Sequence, residues 1–167
     1  MKIIGVYAKD SNYGIGYNNN LPWINDTDPD IIQARKIDMK HFKDTTTDSI
    51  VVMGSKTFDS INCKPLPNRI NIVVTNSASA VDIDNILYFV NNPIKAITLA
   101  QIYNKNLYVI GGGQIYNWFD ERSLYDELYV TTFNKKYKCD RFFNHSILIK
   151  KPTIIYSDPM ITIEHYT

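Results

Sequence analysis

Twice in this chain a short run of β-forming apolar residues stops at glycine and passes at once into helical spacing. Residues 49–53 lead into Gly54-Ser55-Lys56-Thr57. Residues 107–110 lead into Gly111-Gly112-Gly113 and then into an apolar pattern of helical period over 114–119. Short apolar runs bounded by turn signals read as buried strands. A strand, a glycine turn and a helix together bring backbone N–H groups and a helix N-terminus to one place, where an anion can be received. Two such turns suit the two ends of a pyrophosphate. The same glycines equally serve a tight turn that needs only backbone freedom, and at this level both readings stand.

Further strands are predicted at 2–8, 69–75, 86–90 and 125–133, a short edge segment at 139–143, and helices at 57–61 and 94–103. A terminal hairpin is predicted from 153–156 and 161–166, turned at Ser157-Asp158-Pro159. Strand and helix alternate over the first two-thirds and a hairpin follows, so the expected fold is α/β: a mostly parallel mixed sheet with an antiparallel edge. Ligands of such sheets bind beyond the carboxyl ends of the strands, where Ala8, Gly54, Thr75 and Gly111 fall. The chain has 167 residues, 44% hydrophobic and 21% charged, which suits one domain over 1–167.

A net charge of +1 gives no broad electrostatic footprint for nucleic acid or an acidic membrane. Cys63 and Cys139 have no metal-ligand spacing and suit a reduced cytoplasmic setting. No metal is expected. No signal peptide or membrane span is read from the apolar runs.

Three stretches carry possible chemistry. Asp28-Pro29 is a helix start, an acid at the N-cap with proline at the first helical position, and the helix should reach about residue 43. Ile31, Ala34, Asp38 and Phe42 then share one face. A carboxylate on an apolar face is either paired or raised in pKa, or else sits at a boundary and reaches water. The proline-rich turn 64–69 delivers Arg69 to the start of a strand, as a bidentate carboxylate clamp or as an ordinary surface arginine. The loop 10–20 carries Gly14-Ile15-Gly16, but Asn19 stands where a dinucleotide fingerprint needs its third glycine, so that reading fails. Leu21-Pro22-Trp23 then forms either an apolar plug or a lid.

Taken in order, GIGYNNNLPW, DMKHFK, MGSKTFDSI, KPLPNR, VIGGGQIY and YVTTF resemble the dihydrofolate reductase family. The resemblance implies an eight-stranded sheet flanked by about four helices and NADPH-dependent reduction of 7,8-dihydrofolate to tetrahydrofolate. It implies a monomer that binds dihydrofolate and antifolates, with neither nucleic acid nor membrane as partner. By residue it implies Asp38 as the pterin-pocket carboxylate, Thr131 as the hydroxyl bonded to it, Trp23 beside a water near the acid, and Leu21 at the lid tip. Ile4, Val6, Met39, Phe42, Ser60, Ile61, Leu66 and Ile110 would line the substrate pocket, with Arg69 on the glutamate carboxylate. Val6, Ala8, Ile15, Gly16, Gly54, Ser55, Lys56, Thr57, Thr75, Asn76, Gly111, Gly112, Gly113, Gln114, Ile115 and Tyr116 would surround the cofactor. The Gly111–Gly112 peptide would be cis.

Departures from the family pattern are an extra stretch of about ten residues between Trp23 and Asp38, bearing the rival acids Asp26, Asp28 and Asp30, and Arg141 after Asp140. Asp38 is preferred because Phe42 follows it at i+4 and Lys43 comes next. The alternatives are the riboflavin-pathway reductase of the same fold and a non-catalytic descendant that binds cofactor or a partner.

Overall fold

Ten strands and four helices run through residues 1–144 and 150–167, the residues described by the computed structural model. The strands are β1 (Ile3–Lys9), β2 (Gly14–Gly16), β3 (Ile50–Gly54), β4 (Ile70–Val74), β5 (Leu87–Val90), β6 (Leu107–Val109), β7 (Glu127–Phe133), β8 (Arg141–Phe142), β9 (Thr153–Ser157) and β10 (Ile161–Tyr166). The helices are α1 (Pro29–Thr46), α2 (Ser55–Ser60), α3 (Pro93–Tyr103) and α4 (Gly113–Asp120). Eight strands form one sheet in the order β5-β4-β3-β6-β1-β7-β10-β9, and β2 pairs with β8 apart from it. β1 with β6, β6 with β3, β3 with β4 and β4 with β5 are parallel; β7 with β10 and β10 with β9 are antiparallel. The expected mixed sheet, terminal hairpin and four helices are therefore all present. No helix among the described residues is long and apolar enough to cross a membrane.

Contacts divide the chain into two compact units, and β1 contributes residues to each. The first is Met1–Gly5 with Thr46–Asp126. Its core joins Ile50 and Val52 of β3, Ile70 and Ile72 of β4, and Leu107 and Val109 of β6 to Ala96 and Ala100 of α3 and Ile115 and Phe119 of α4. Ile50 to Met53 are all fully buried. Both faces of β3 are covered, which is why it reads as an unbroken apolar run and not as an alternation.

The second unit is Val6–Thr45 with Glu127–Thr167. Here α1 starts as expected: Asp28 Oδ1 accepts the Asp30 N–H at 2.9 Å and the Asp28 carbonyl accepts the Ile32 N–H at 2.9 Å. The inserted stretch is thus mostly the first turns of α1. Its Ile31 and Ala34 bury against Phe133, Ile161, Ile163 and Trp23. β9 is exposed along its whole length at the sheet edge.

The first loop is less irregular than expected, because Gly14 pairs with Phe142 and Gly16 with Arg141. Three residues containing two glycines carry no strand signal of their own, so this ribbon is a product of tertiary pairing. Helix α2 starts two residues early because Gly54 itself is its N-cap.

One turn after Asp38, the His41 ring lies 5.5 Å from that of Tyr129, which stacks at 4.2 Å on His165. His41 Nδ1 is 3.4 Å from the Thr45 hydroxyl, and its buried Nε2 has no hydrogen-bond partner among the described residues. Burial lowers the His41 pKa below the usual 6.5, Asp44 opposes the shift, and His165 adds to it. The native state therefore resists protonation more than the unfolded chain does. The stabilising contribution is complete above about pH 6.5 and is lost as pH falls below it. His41→Phe keeps a ring against Tyr129, so its melting temperature should fall less than wild type between pH 8 and pH 5. Parallel melting curves in thermal scans would contradict this.

Candidate active site

In the first unit β3 and β6 are neighbours, so their glycine turns lie side by side. The Gly54 N–H donates to the Gly111 carbonyl at 2.8 Å. Gly111 has φ +117°, and a Cβ there would lie 3.2 Å from the Tyr116 ring, so only glycine fits. A Cβ on Gly54 would press on Ile115 at 3.3 Å. The Gly111–Gly112 peptide is cis, as the resemblance implies.

Neither Gly54 nor Gly112 caps its helix with a side chain, leaving first-turn N–H groups for an outside acceptor. Around these turns stand the half-buried Thr57 and Gly113, the exposed Ser55, Lys56 and Gln114, and Ile115 and Tyr116 on α4. Thr75 and Asn76 follow β4, with Thr75 Oγ1 accepting the Ser77 N–H at 3.1 Å. Peptide N–H groups, hydroxyls and one ammonium, with glycine keeping the backbone clear, suit the diphosphate of a dinucleotide.

Arg69 belongs to the same unit. It is only 8% exposed, so the surface-arginine alternative is excluded. Its Nε donates to the Pro67 carbonyl at 2.9 Å and its Nη1 to Thr46 Oγ1 at 2.9 Å, and desolvation lowers its pKa. The turn that delivers it is held by Asn71, a residue the sequence did not single out. Buried inside β4, its Nδ2 donates to the carbonyls of Leu66, Arg69 and Ile86, and its Oδ1 accepts the Leu66 N–H at 2.8 Å. A lone Asn within an apolar strand was the available signal, since buried amides need partners. Ile4 is buried in β1, Ile110 follows β6, and Ile61 ahead of the proline turn and Leu66 within it are half-buried. Ser60 ends α2, its hydroxyl donating to the Thr57 carbonyl at 2.6 Å.

In the second unit, α1 sets Asp38 against Thr131 of β7, which is 2% exposed. The residue as a whole retains some exposure, but its carboxyl is crowded and poorly solvated. Desolvation raises its pKa to about 6, and the Thr131 hydroxyl, donating to the carboxylate, partly offsets the rise. Val6 and Ala8 of β1 and Phe42 of α1 are half-buried, and Met39 is exposed.

Two of the three rival acids are otherwise engaged, and Asp30 stands exposed on the first turn of α1. Asp28 caps α1. Asp26 is held down to about 2 by Lys135, by the Asp28 N–H and by the Tyr137 hydroxyl. Trp23 is buried and stacks on Phe133 at 4.1 Å, beside Ile31 and Ala34. Leu21 stands exposed ahead of it, and Ile15 and Gly16 lie in the β2–β8 ribbon. Asp140 ties that ribbon to the loop, its N–H donating to the Gly16 carbonyl at 2.9 Å and its Oδ2 accepting the Asn18 N–H at 3.0 Å.

Paired glycine turns on a mostly parallel sheet, open to a diphosphate, are the features of a dinucleotide-binding protein. The sequence model of the family described as dihydrofolate reductase matches residues 2–148, and the chain belongs to that family.

Among its relatives, dihydrofolate reductase of Bacillus subtilis is 36% identical over 138 residues, covering 83% of this chain and 73% of the relative. The bifunctional dihydrofolate reductase-thymidylate synthase of Paramecium tetraurelia is 34% identical over 145 residues, covering 85% of this chain but only 28% of that longer protein. A solved dihydrofolate reductase of Enterococcus faecalis, complexed with NADP(H) and RAB-propyl, superposes with a TM-score of 0.73 at 25% identity, covering 99% of this chain and 95% of that one. The activity of this chain is that of its family, the NADPH-dependent reduction of dihydrofolate to tetrahydrofolate.

Proposed function

We propose that Asp38 is the single catalytic carboxyl of this reductase, supported by its desolvated place on α1 beside Thr131. When bound, the nicotinamide cofactor supplies a hydride to C6 of the pterin. The reaction also consumes one proton, which must reach N5. The Asp38 carboxylate accepts hydrogen bonds from the pterin amino and ring N–H groups, and its negative charge raises the proton affinity of N5, with water carrying the proton. Thr131 donates to Asp38 and keeps the buried anion tolerable. Leu21 and Trp23 close over the site and exclude bulk water, which strengthens these interactions. Arg69 takes the glutamate carboxylate, while Ile4, Val6, Met39, Phe42, Ser60, Ile61, Leu66 and Ile110 line the substrate pocket.

The glycine turns, Ser55, Lys56, Thr57, Thr75 and Asn76 hold the cofactor, with Val6, Ala8, Ile15, Gly16, Gln114, Ile115 and Tyr116 completing the shell. Lys56 is the cation for the 2′-phosphate. Lys56→Ala should narrow the kcat/KM ratio of NADPH over NADH by about tenfold, the scale of one charge-assisted bond. Equal use of the two cofactors by wild type would reject this assignment. The reading as a whole is tested by following NADPH absorbance with dihydrofolate as substrate. No turnover with dihydrofolate, or turnover with the riboflavin-pathway substrate, would overturn it.

The chain is further proposed to unfold as one domain, since β1 serves both units. It is proposed to act as a cytoplasmic monomer that also binds antifolates and leaves nucleic acid alone, in keeping with free Cys63 and Cys139 and a net charge of +1. Coincident unfolding transitions by fluorescence and circular dichroism, and a monomer mass by light scattering, are the expected results.

A further inference from the structure

Two carboxylates bracket the first loop, and both reach the same residue. Asp10, fully buried at the start of the loop, accepts the Gly14 N–H at 2.7 Å and the Asn12 N–H at 2.8 Å on Oδ1. Its Oδ2 accepts the Tyr137 N–H at 2.9 Å and the Cys139 thiol at 3.5 Å. Asp26, just past Trp23, accepts the Asp28 N–H at 2.9 Å on Oδ1. Its Oδ2 accepts the Tyr137 hydroxyl at 2.7 Å and the Lys135 ammonium at 2.6 Å. The Asp26 N–H donates to the Trp23 carbonyl at 3.1 Å, and the Ser11 N–H donates to the Lys135 carbonyl at 3.1 Å. Tyr137 also meets the Trp23 ring at 6.0 Å in an edge arrangement.

We propose that Tyr137 is a positioning residue for the reductase reaction: it pins both ends of the segment from Asp10 to Asp26, by its N–H to Asp10 and its hydroxyl to Asp26, and so fixes the placement of Leu21 and Trp23. Asp26 lies between Trp23 and the start of α1, in a stretch with no helix or strand of its own to hold it. Without an anchor, the chain between Trp23 and α1 would have to be ordered at each closure, at a cost in conformational entropy. The anchor does not titrate in the working range. Asp26 stays ionised down to about pH 2. The Tyr137 hydroxyl is raised by burial and by the Asp26 bond, with Asp28 and Asp10 adding to the rise. Lys135 faces the same carboxylate.

The inference rests on the reading of Leu21 and Trp23 as a lid, so the test carries a control for that reading. Tyr137→Phe keeps the ring, the packing and the N–H, and removes only the hydroxyl bond. Expected is a fall of about tenfold in kcat/KM for dihydrofolate, on the scale of one charge-assisted bond. That fall should be constant from pH 5 to pH 9, with KM for NADPH unchanged. In a Trp118→Phe background, where Trp23 is the sole tryptophan, acrylamide quenching should increase. Asp26→Asn weakens the same bond along with the Lys135 pair, so it should act in the same direction, and the double variant should lose less than the sum of the two single losses.

Unchanged kcat/KM and quenching in Tyr137→Phe, or fully additive losses in the double variant, would overturn the proposal. If Tyr137→Phe fails to fold, Asp26→Asn alone decides by the same two readouts. Leu21→Ala separates the two levels: if it leaves kcat/KM unchanged, the lid reading itself has failed, whereas a loss in Leu21→Ala with none in Tyr137→Phe rejects only the clasp.

Discussion

Asp38→Asn is expected to lower kcat at neutral pH by at least about a hundredfold, the usual scale for a lost acid–base contribution. Asparagine keeps the shape and can still meet the Thr131 hydroxyl, so the change removes charge and little else. In wild type the rate of hydride transfer should fall as pH rises through the region near 6, where the Asp38 carboxyl and pterin N5 lose the one proton they share. Above that range the carboxyl and the pterin together lack the proton that N5 requires. The variant should lose this dependence and bind protonated diaminopyrimidine antifolates more weakly.

A second readout has the opposite sign. The pKa in the folded protein lies above the ordinary 3.8, so the native state binds the proton more tightly than the unfolded chain. The Asp38 contribution to stability is then complete below about pH 4 and is lost as pH rises through 6. A shift of roughly two units corresponds to ~3 kcal/mol. Ligand-free Asp38→Asn should therefore melt higher than wild type at pH 7 while being nearly inactive. Asp30→Asn, made in parallel on the exposed first turn of α1, should change the rate only a few-fold. If Asp30→Asn is the crippled enzyme and Asp38→Asn turns over normally, the site must be rebuilt around the earlier acid.

The parts of the site written in local pattern were legible before any coordinates. The two strand–glycine–helix turns, the N-cap at Asp28 with proline behind it, and an acid spaced onto an apolar face are properties of short windows. Local chemistry dictates them, and the chain adopts all of them. What stayed hidden depends on partners far away in sequence. Asp26 looked like a rival acid because its partner Lys135 lies 109 residues on. Gly14 to Gly16 looked like plain loop because β8 must fold back before a strand exists there. Nothing in the sequence pointed to His41, because its crowding comes from Tyr129 and His165. Arg69 is the intermediate case: the proline turn announced it, but only Asn71, whose bonds to Leu66 and Arg69 fold that turn, explains how it is held.

Arg69→Ala should raise KM for dihydrofolate and leave KM for NADPH nearly unchanged, with kcat/KM for dihydrofolate falling on the order of a hundredfold, as for a lost bidentate pair. The geometry favours a large effect. Pro67 and Thr46 fix the Nε and Nη1 directions of the guanidinium, so little side-chain entropy is left to lose when a carboxylate arrives. Burial makes the pairing stronger than it would be at the surface. Because Arg69 is buried, its removal could also loosen the proline turn, and two controls separate that from a lost clamp. Arg69→Lys keeps a charge but not the planar fork, and should recover only part of the affinity. A pteridine substrate without the glutamate carboxylate should be reduced equally well by wild type and Arg69→Ala. If that truncated substrate suffers the same loss, Arg69 supports the turn and does not hold the substrate.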